Sequence, residues 1–292
     1  AWEKAFRSKN ILLDTDTDLV DRIWTDRPAL PKEKISDFSP EFAGKSRAEK
    51  IEIIQSKMDT HSGDFLLVNA LDNIAWLLNL RGEDVAHDPL FYAFVVLGKQ
   101  KTHLFIQKEK INRSLQKILT DDQVVLHEYD QINDFLSQID GKVLYDVGTT
   151  NAQLHQIIYK KDCEAIPDYI ALEKAIKNKT EIKHIRNAMK KDGVALVKLY
   201  KWMEETVAQR PLPETEVANK LIEFRSQQEG YRAESFAAIV GYESNGAIVH
   251  YRAKEGSCAD LYPKGIVLID SGGQFSDGTT DTTRTRALGE VT

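Results

Sequence analysis

The chain has 292 residues, 42% of them hydrophobic and 29% charged, with a formal net charge of -6. That length holds one large domain or two ordinary ones, and the acidic balance leaves no nucleic-acid footprint. No apolar run approaches the ~18 residues of a membrane span, and the opening Ala1-Trp2-Glu3-Lys4-Ala5-Phe6 has no apolar signal core.

Residues 1–40 read as a connecting arm punctuated by Pro28, Pro31 and Pro40, with Trp24 as its expected anchor. The apolar stripe Ile51, Ile54 and Met58 predicts a helix over 46–60. Residues 65–68 read as a buried strand and 71–78 as a short helical turn. Strands over 91–97 and 102–106 are joined through Gly98-Lys99-Gln100, a hairpin signal. A strand over 124–129, a helix over 132–139, a strand over 143–147 and a helix over 150–160 complete the first part. Strands alternating with helices predict an α/β domain on a mixed sheet, over 41–172. Cys163 and Cys258, far apart in sequence, read as free buried thiols of a reducing compartment.

A long helix is expected over 180–207, with Ile182, Ile185, Met189, Val194, Val197 and Trp202 as its apolar stripe. Pro211 and Pro213 end it, and a second helix runs over 214–228. Strands are expected over 235–240, 247–252, 265–270 and 278–284. Two helices followed by an antiparallel sheet make an α+β unit over 173–292.

Its last hairpin carries the chemistry. Four apolar residues, Ile266 to Ile269, run into Asp270, and Asp281 follows. An uncompensated carboxylate ending a buried strand is expensive, and a divalent cation is one compensation. A two-residue loop at Phe275-Ser276 would set Asp270 opposite Asp281 on one face. The Asp277-Gly278 pair is the better turn signal, and it would separate the two by roughly 13 Å along the strand. That is too far for ions ~3.5–4 Å apart. A shared metal site then requires a bulge or kink, for which Gly272-Gly273 is the expected place.

The string Asp270-Ser271-Gly272, Asp277-Gly278-Thr279-Thr280-Asp281, Thr283-Arg284-Thr285 resembles the metal-binding hairpin of the aminopeptidase P branch of the M24 "pita-bread" metallopeptidases. Asn245-Gly246-Ala247-Ile248-Val249-His250-Tyr251 resembles that family's Asn-Gly-Ala-Ile-x-His-Tyr. Residues 70–82 and 23–28 resemble its long, three-domain cytosolic, Xaa-Pro-cleaving members. The resemblance implies a creatinase N-terminal-like α/β domain followed by the first half of a pita-bread catalytic domain. It implies Asp270 and Asp281 as metal ligands, Asp281 bridging two divalent ions, expected to be Mn²⁺, and His250 as a catalytic, substrate-contacting residue. The substrate implied is a proline-containing peptide cut at its N-terminal Xaa-Pro bond, by a cytoplasmic enzyme expected to be a homodimer.

Five ligands serve that family, and its His and two Glu lie in motifs downstream of the hairpin. The sequence ends at Thr292 with no His after His250, so it reads as a piece of a longer enzyme, inactive alone and lacking an N-terminal domain. Two other readings stand beside this one. One is a prolidase or creatinase, and the other is a non-catalytic pita-bread domain that binds protein partners. Arg81 and Trp76 could approach the active-site mouth or a neighbouring subunit, with packing the simpler role for Trp76. The six remaining histidines have no ligand-like spacing.

Overall fold

Short apolar runs with two buried faces build the first layer. In the computed structural model every residue is described except Ala1, Leu13, Thr15, Asp16, Asp18 and Thr292, and for Trp2, Glu3, Lys4 and Asp21 the backbone alone. Residues Ala1–Lys32 and Glu33–Thr292 form two units. The first carries the short helices Trp2–Arg7 and Leu19–Ile23. Trp24, the expected anchor of this arm, is 44% exposed. Its ring lies under the Arg27 guanidinium at 5.2 Å, so it works as a surface cation-π partner.

In the second unit, strands β1 (Phe65–Val68), β2 (Phe94–Gly98), β3 (Thr102–Phe105), β4 (Val124–His127), β5 (Val143–Tyr145) and β6 (Cys163–Ala165) form one sheet in the order β4-β3-β2-β1-β5-β6. The β1/β5, β5/β6 and β3/β4 pairs are parallel, and β1/β2 and β2/β3 are antiparallel, so the mixed sheet is as expected. Alternation sends Leu66 and Val68 into one core and Leu67 into the other. Helix α1 (Arg47–Asp59) covers the first core with Ile51, Ile54 and Met58, and Ser46 and Glu49 close a capping box at its start. Helix α2 (Leu71–Leu77) joins it. Helices α3 (Arg113–Asp121) and α6 (Tyr169–Ala175) were not expected. Helices α4 (Ile132–Gln138) and α5 (Ala152–Ile158) pack on the opposite core.

Trp76 packs against the first core under the Lys50 ammonium, 4.4 Å from its ring centre. Arg81 stacks 4.0 Å from the Phe38 ring and donates to the carbonyls of Ala75 and Leu80. Both serve packing. Cys163 and Cys258 are free, and each is half-buried rather than fully buried.

Helix α7 (Lys179–Val207) opens on an Asn178–Glu181 capping box, and helix α8 (Glu214–Ser226) packs against it. The buried face of α7 is not the expected one. Ala188, Asp192, Ala195, Leu196, Leu199, Met203 and Val207 face inward. Ile182, Met189, Val194 and Val197 are 39%, 40%, 48% and 67% exposed. The inward stripe runs through small residues and one carboxylate, which an apolar count passes over. Strands β7 (Tyr231–Glu234), β8 (Ile239–Tyr242), β9 (Ile266–Ser271), β10 (Gly273–Phe275), β11 (Gly278–Thr279) and β12 (Thr282–Ala287) form two three-stranded sheets, β7-β10-β11 and β8-β9-β12. The strand expected over 247–252 is absent. A 3-10 turn, Glu243–Ala247, leaves β8 instead, and the chain stays irregular to Asp260.

Candidate metal centre

The last hairpin turns at Ser276-Asp277, between the two positions that local signals suggested. Phe275 pairs with Gly278 and Gln274 with Thr279. The reason lies outside the hairpin. The Asp277 carboxylate accepts from Asn187 Nδ2 at 2.7 Å and from Lys191 Nζ at 3.0 Å, both on α7. Burial works against this carboxylate, but those hydrogen bonds and the Lys191 charge outweigh it and hold its pKa below the usual range.

Further down, Asp270 pairs with Thr283 and Ser271 with Thr282, in the same register as the tip. The expected irregularity is at Gly272, but it is a break shared by both strands and not a bulge. A Cβ on Gly272 would stand 1.9 Å from the Thr280 carbonyl oxygen and 2.3 Å from Ser235 Oγ, so only glycine fits. The break is pinned by Ser235, whose N–H donates to Gly272 O at 3.0 Å and whose Oγ donates to Thr280 O at 2.8 Å. Thr280 Oγ1 accepts from Gly273 N at 2.9 Å.

Counting on from the Ser271–Thr282 pair sets Asp281 beside Gly272, two positions from the residue facing Asp270. That is about 7 Å along the strand. Val267, Ile269 and Ser271 point into the core, so Asp270 lies on the other face. Thr282 is 7% exposed and points inward, while its neighbours Asp281 and Thr283 are exposed. Thr283 Oγ1 donates to Asp270 Oδ1 at 2.6 Å, which fixes both on one side. The two carboxylates therefore share a face. Neither has a cationic partner among the described residues, and Asp270 is half-buried. Two oxygen-only ligands at this spacing suit a pair of ions ~3.5–4 Å apart with oxygens at about 2 Å. No group of three His, Cys, Asp or Glu side chains placed to hold an ion occurs among the described residues, so the pair is an incomplete donor set.

Beneath the break lies Arg225, with no solvent exposure. Its Nε donates to Asp192 Oδ1 at 2.7 Å and its Nη1 to Glu234 Oε2 at 2.9 Å and Gly272 O at 3.1 Å; its Nη2 donates to Ser271 Oγ at 3.0 Å. One guanidinium thus ties α7, α8 and β7 to the hairpin between the two aspartates. Burial raises the pKa of Glu234 against the Arg225 charge, and burial raises that of Tyr231, whose hydroxyl donates to Glu234 Oε1 at 2.9 Å.

His250 sits in the irregular segment after β8, exposed and with a φ of 54°. It makes no hydrogen bond to a described residue. The neighbours Ile248 and Val249 are 54% and 83% exposed, so the histidine is not packed in a strand. The segment folds back on β8, where a Cβ on Gly241 would meet Gly246 Cα at 2.8 Å. Its order comes from Glu214, the first residue of α8, which is fully buried. The remaining histidines have structural partners: His61 with Glu164 and Tyr169, His103 with His127, His155 with Tyr145, His184 with Glu41 O, and His87 with Glu234 O.

Residues 26–181 match the family model of the creatinase/prolidase N-terminal domain, and residues 183–292 match that of metallopeptidase family M24. The chain belongs to the creatinase/prolidase-type M24 metallopeptidases. A probable Xaa-Pro aminopeptidase P of Paracoccidioides brasiliensis is 34% identical over 98% of this chain and 49% of its own length. Xaa-Pro aminopeptidase 1 of Dictyostelium discoideum is 36% identical over 91% of this chain and 43% of its own. The crystal structure of X-prolyl aminopeptidase from Caenorhabditis elegans, described as a cytosolic enzyme with a di-nuclear active site, is 28% identical with a TM-score of 0.92, over 98% of this chain and 48% of that one. The chain spans about half the length of the curated relatives it matches.

Proposed function

We propose that these residues are part of a metal-dependent aminopeptidase that hydrolyses the bond between the N-terminal residue of a peptide and a following proline. The observation that carries this reading is the Asp270–Asp281 pair, two cation-free carboxylates on one face of a hairpin whose break only glycine permits. The names of the relatives support the substrate class. Asp270 and Asp281 hold two divalent ions together with ligands from elsewhere in the longer protein, and their oxygen donors suit Mn²⁺. Such ions, when bound, lower the pKa of water and supply a nucleophile near neutral pH. Thr283 fixes the Asp270 carboxylate through Oδ1. His250, which has no hydrogen-bond partner among the described residues, donates a hydrogen bond to the peptide carbonyl oxygen as negative charge builds there. The described cytosolic relative supports a cytosolic site of action.

Turnover of Xaa-Pro-Xaa peptides and Xaa-Pro dipeptides by the full-length protein in Mn²⁺ tests this. The tripeptides are expected to be cleaved, and His250→Ala is expected to lower kcat about 10²-fold. Cleavage of dipeptides alone would make it a prolidase, and cleavage of neither would end the peptidase reading. A polypeptide of residues 1–292 is expected to turn over neither.

A further inference from the structure

Glu214 is a buried carboxylate that the chemistry above does not use. Its Oε1 accepts from the Tyr242 N–H at 2.7 Å and from Asn245 Nδ2 at 3.1 Å. Its Oε2 accepts from the Tyr251 hydroxyl at 2.8 Å and from the Ala259 N–H at 3.1 Å. Asn245 Nδ2 also reaches the Tyr251 oxygen at 3.0 Å. Tyr242 and Ala259 are the two ends of the irregular segment that carries His250, and Asn245 and Tyr251 flank the histidine within it. One carboxylate therefore ties both ends of the segment and two side chains inside it. No cation faces Glu214 among its described partners, so the donors alone compensate its charge. Burial together with the Glu214 contact pushes the Tyr251 hydroxyl up to about 12, which keeps it a proton donor.

We propose that Glu214 is the positioning residue for His250: its carboxylate holds the 242–259 segment in the one arrangement that aims the imidazole at the substrate. This rests on the role given to His250 above. It also explains why Asn245 and Tyr251 accompany the histidine, since both bind Glu214. The carboxylate cannot be replaced by its amide. Each oxygen receives a backbone N–H, so either orientation of a glutamine would set its NH₂ against a backbone donor that cannot turn away.

The test is kinetics of the full-length Mn²⁺ enzyme on an Xaa-Pro-Xaa peptide, with wild type, Glu214→Gln, His250→Ala and the double variant. Glu214→Gln is expected to lower kcat about 10-fold or more with little change in KM and in bound metal. The double variant is expected to be no slower than His250→Ala alone, because a misplaced histidine that is absent cannot be missed twice. Tyr251→Phe, which removes one donor, is expected to show the same non-additivity at smaller size, so the test survives if Glu214→Gln fails to fold. Wild-type kcat in Glu214→Gln, or losses that multiply in the double variant, would overturn the proposal while leaving His250 catalytic. Wild-type kcat in His250→Ala would overturn the role of His250 and this proposal together.

Discussion

Replacing Arg225 by Met removes the cation that pairs with both Asp192 and Glu234. The Asp192 and Glu234 side chains are 1% and 9% exposed, and each accepts from the guanidinium. Asp192 Oδ2 is buried with no hydrogen-bond partner among the described residues, so Arg225 is the main compensation for that charge. Removing one partner of a buried pair costs about 3–5 kcal/mol. Met fills most of the volume, so little of this comes from a cavity. Burial raises the pKa of Glu234, and the Arg225 charge works against that rise. We therefore expect Arg225→Met to lose about 4 kcal/mol, a large part of the ~5–15 kcal/mol of a typical domain. The sign of the pH dependence follows. Burial already raises the folded-state pKa of Glu234 and the Arg225 charge opposes that rise, so removing the arginine raises it further and the variant gains more stability than wild type on acidification. The gap from wild type should narrow as pH falls from 7 toward the raised pKa of Glu234. Urea unfolding followed by tryptophan fluorescence reads both quantities. A loss below about 1 kcal/mol at unchanged m-value, or a gap that widens toward pH 5, would refute the account of how the hairpin is held.

Gly272→Ala should cost about 1–3 kcal/mol or more, because the new methyl meets a backbone carbonyl that the Ser235 bond holds in place; an unchanged urea midpoint would show the break to be soft. Asp277→Ala should cost about 1.5–3 kcal/mol at pH 7 through the lost contacts to Asn187 and Lys191. Its folded pKa is depressed, so this contribution is present above the unfolded value near 3.8 and is lost as pH falls through the folded pKa below it; the variant and wild type should draw together in stability as pH drops below 3.8.

Much of this was legible in the sequence, and the exceptions share a cause. Core strands such as 65–68 and helix 46–60 declare themselves by period and capping chemistry. The same-face placement of Asp270 and Asp281 follows from alternation at either expected turn position. The turn position itself does not, because Asp277 and Gly278 are set by contacts with α7 that no local signal encodes. The inward face of α7 was misread for a similar reason: Ala188, Asp192 and Ala195 carry little hydrophobicity, yet they face the arginine and the hairpin. His250 was placed in a strand because Ile248 and Val249 look like one. The segment is ordered instead by Glu214, whose partners lie 28 to 45 residues away. One signal for the missed residues does exist. Glu214, Val217, Leu221 and Arg225 are the buried residues of α8, so its two ends put charges at core positions about 16 Å apart. A charge at such a position asks for a partner, and here each one fixes an element of the site.

The most direct measurement is the metal content of the full-length protein after dialysis against Mn²⁺, compared with Asp270→Ala and Asp281→Ala. The account predicts two ions per chain in the wild type and loss of at least one in each variant, with the fold intact by circular dichroism. Two ions retained in both variants would mean that this carboxylate pair does not hold them.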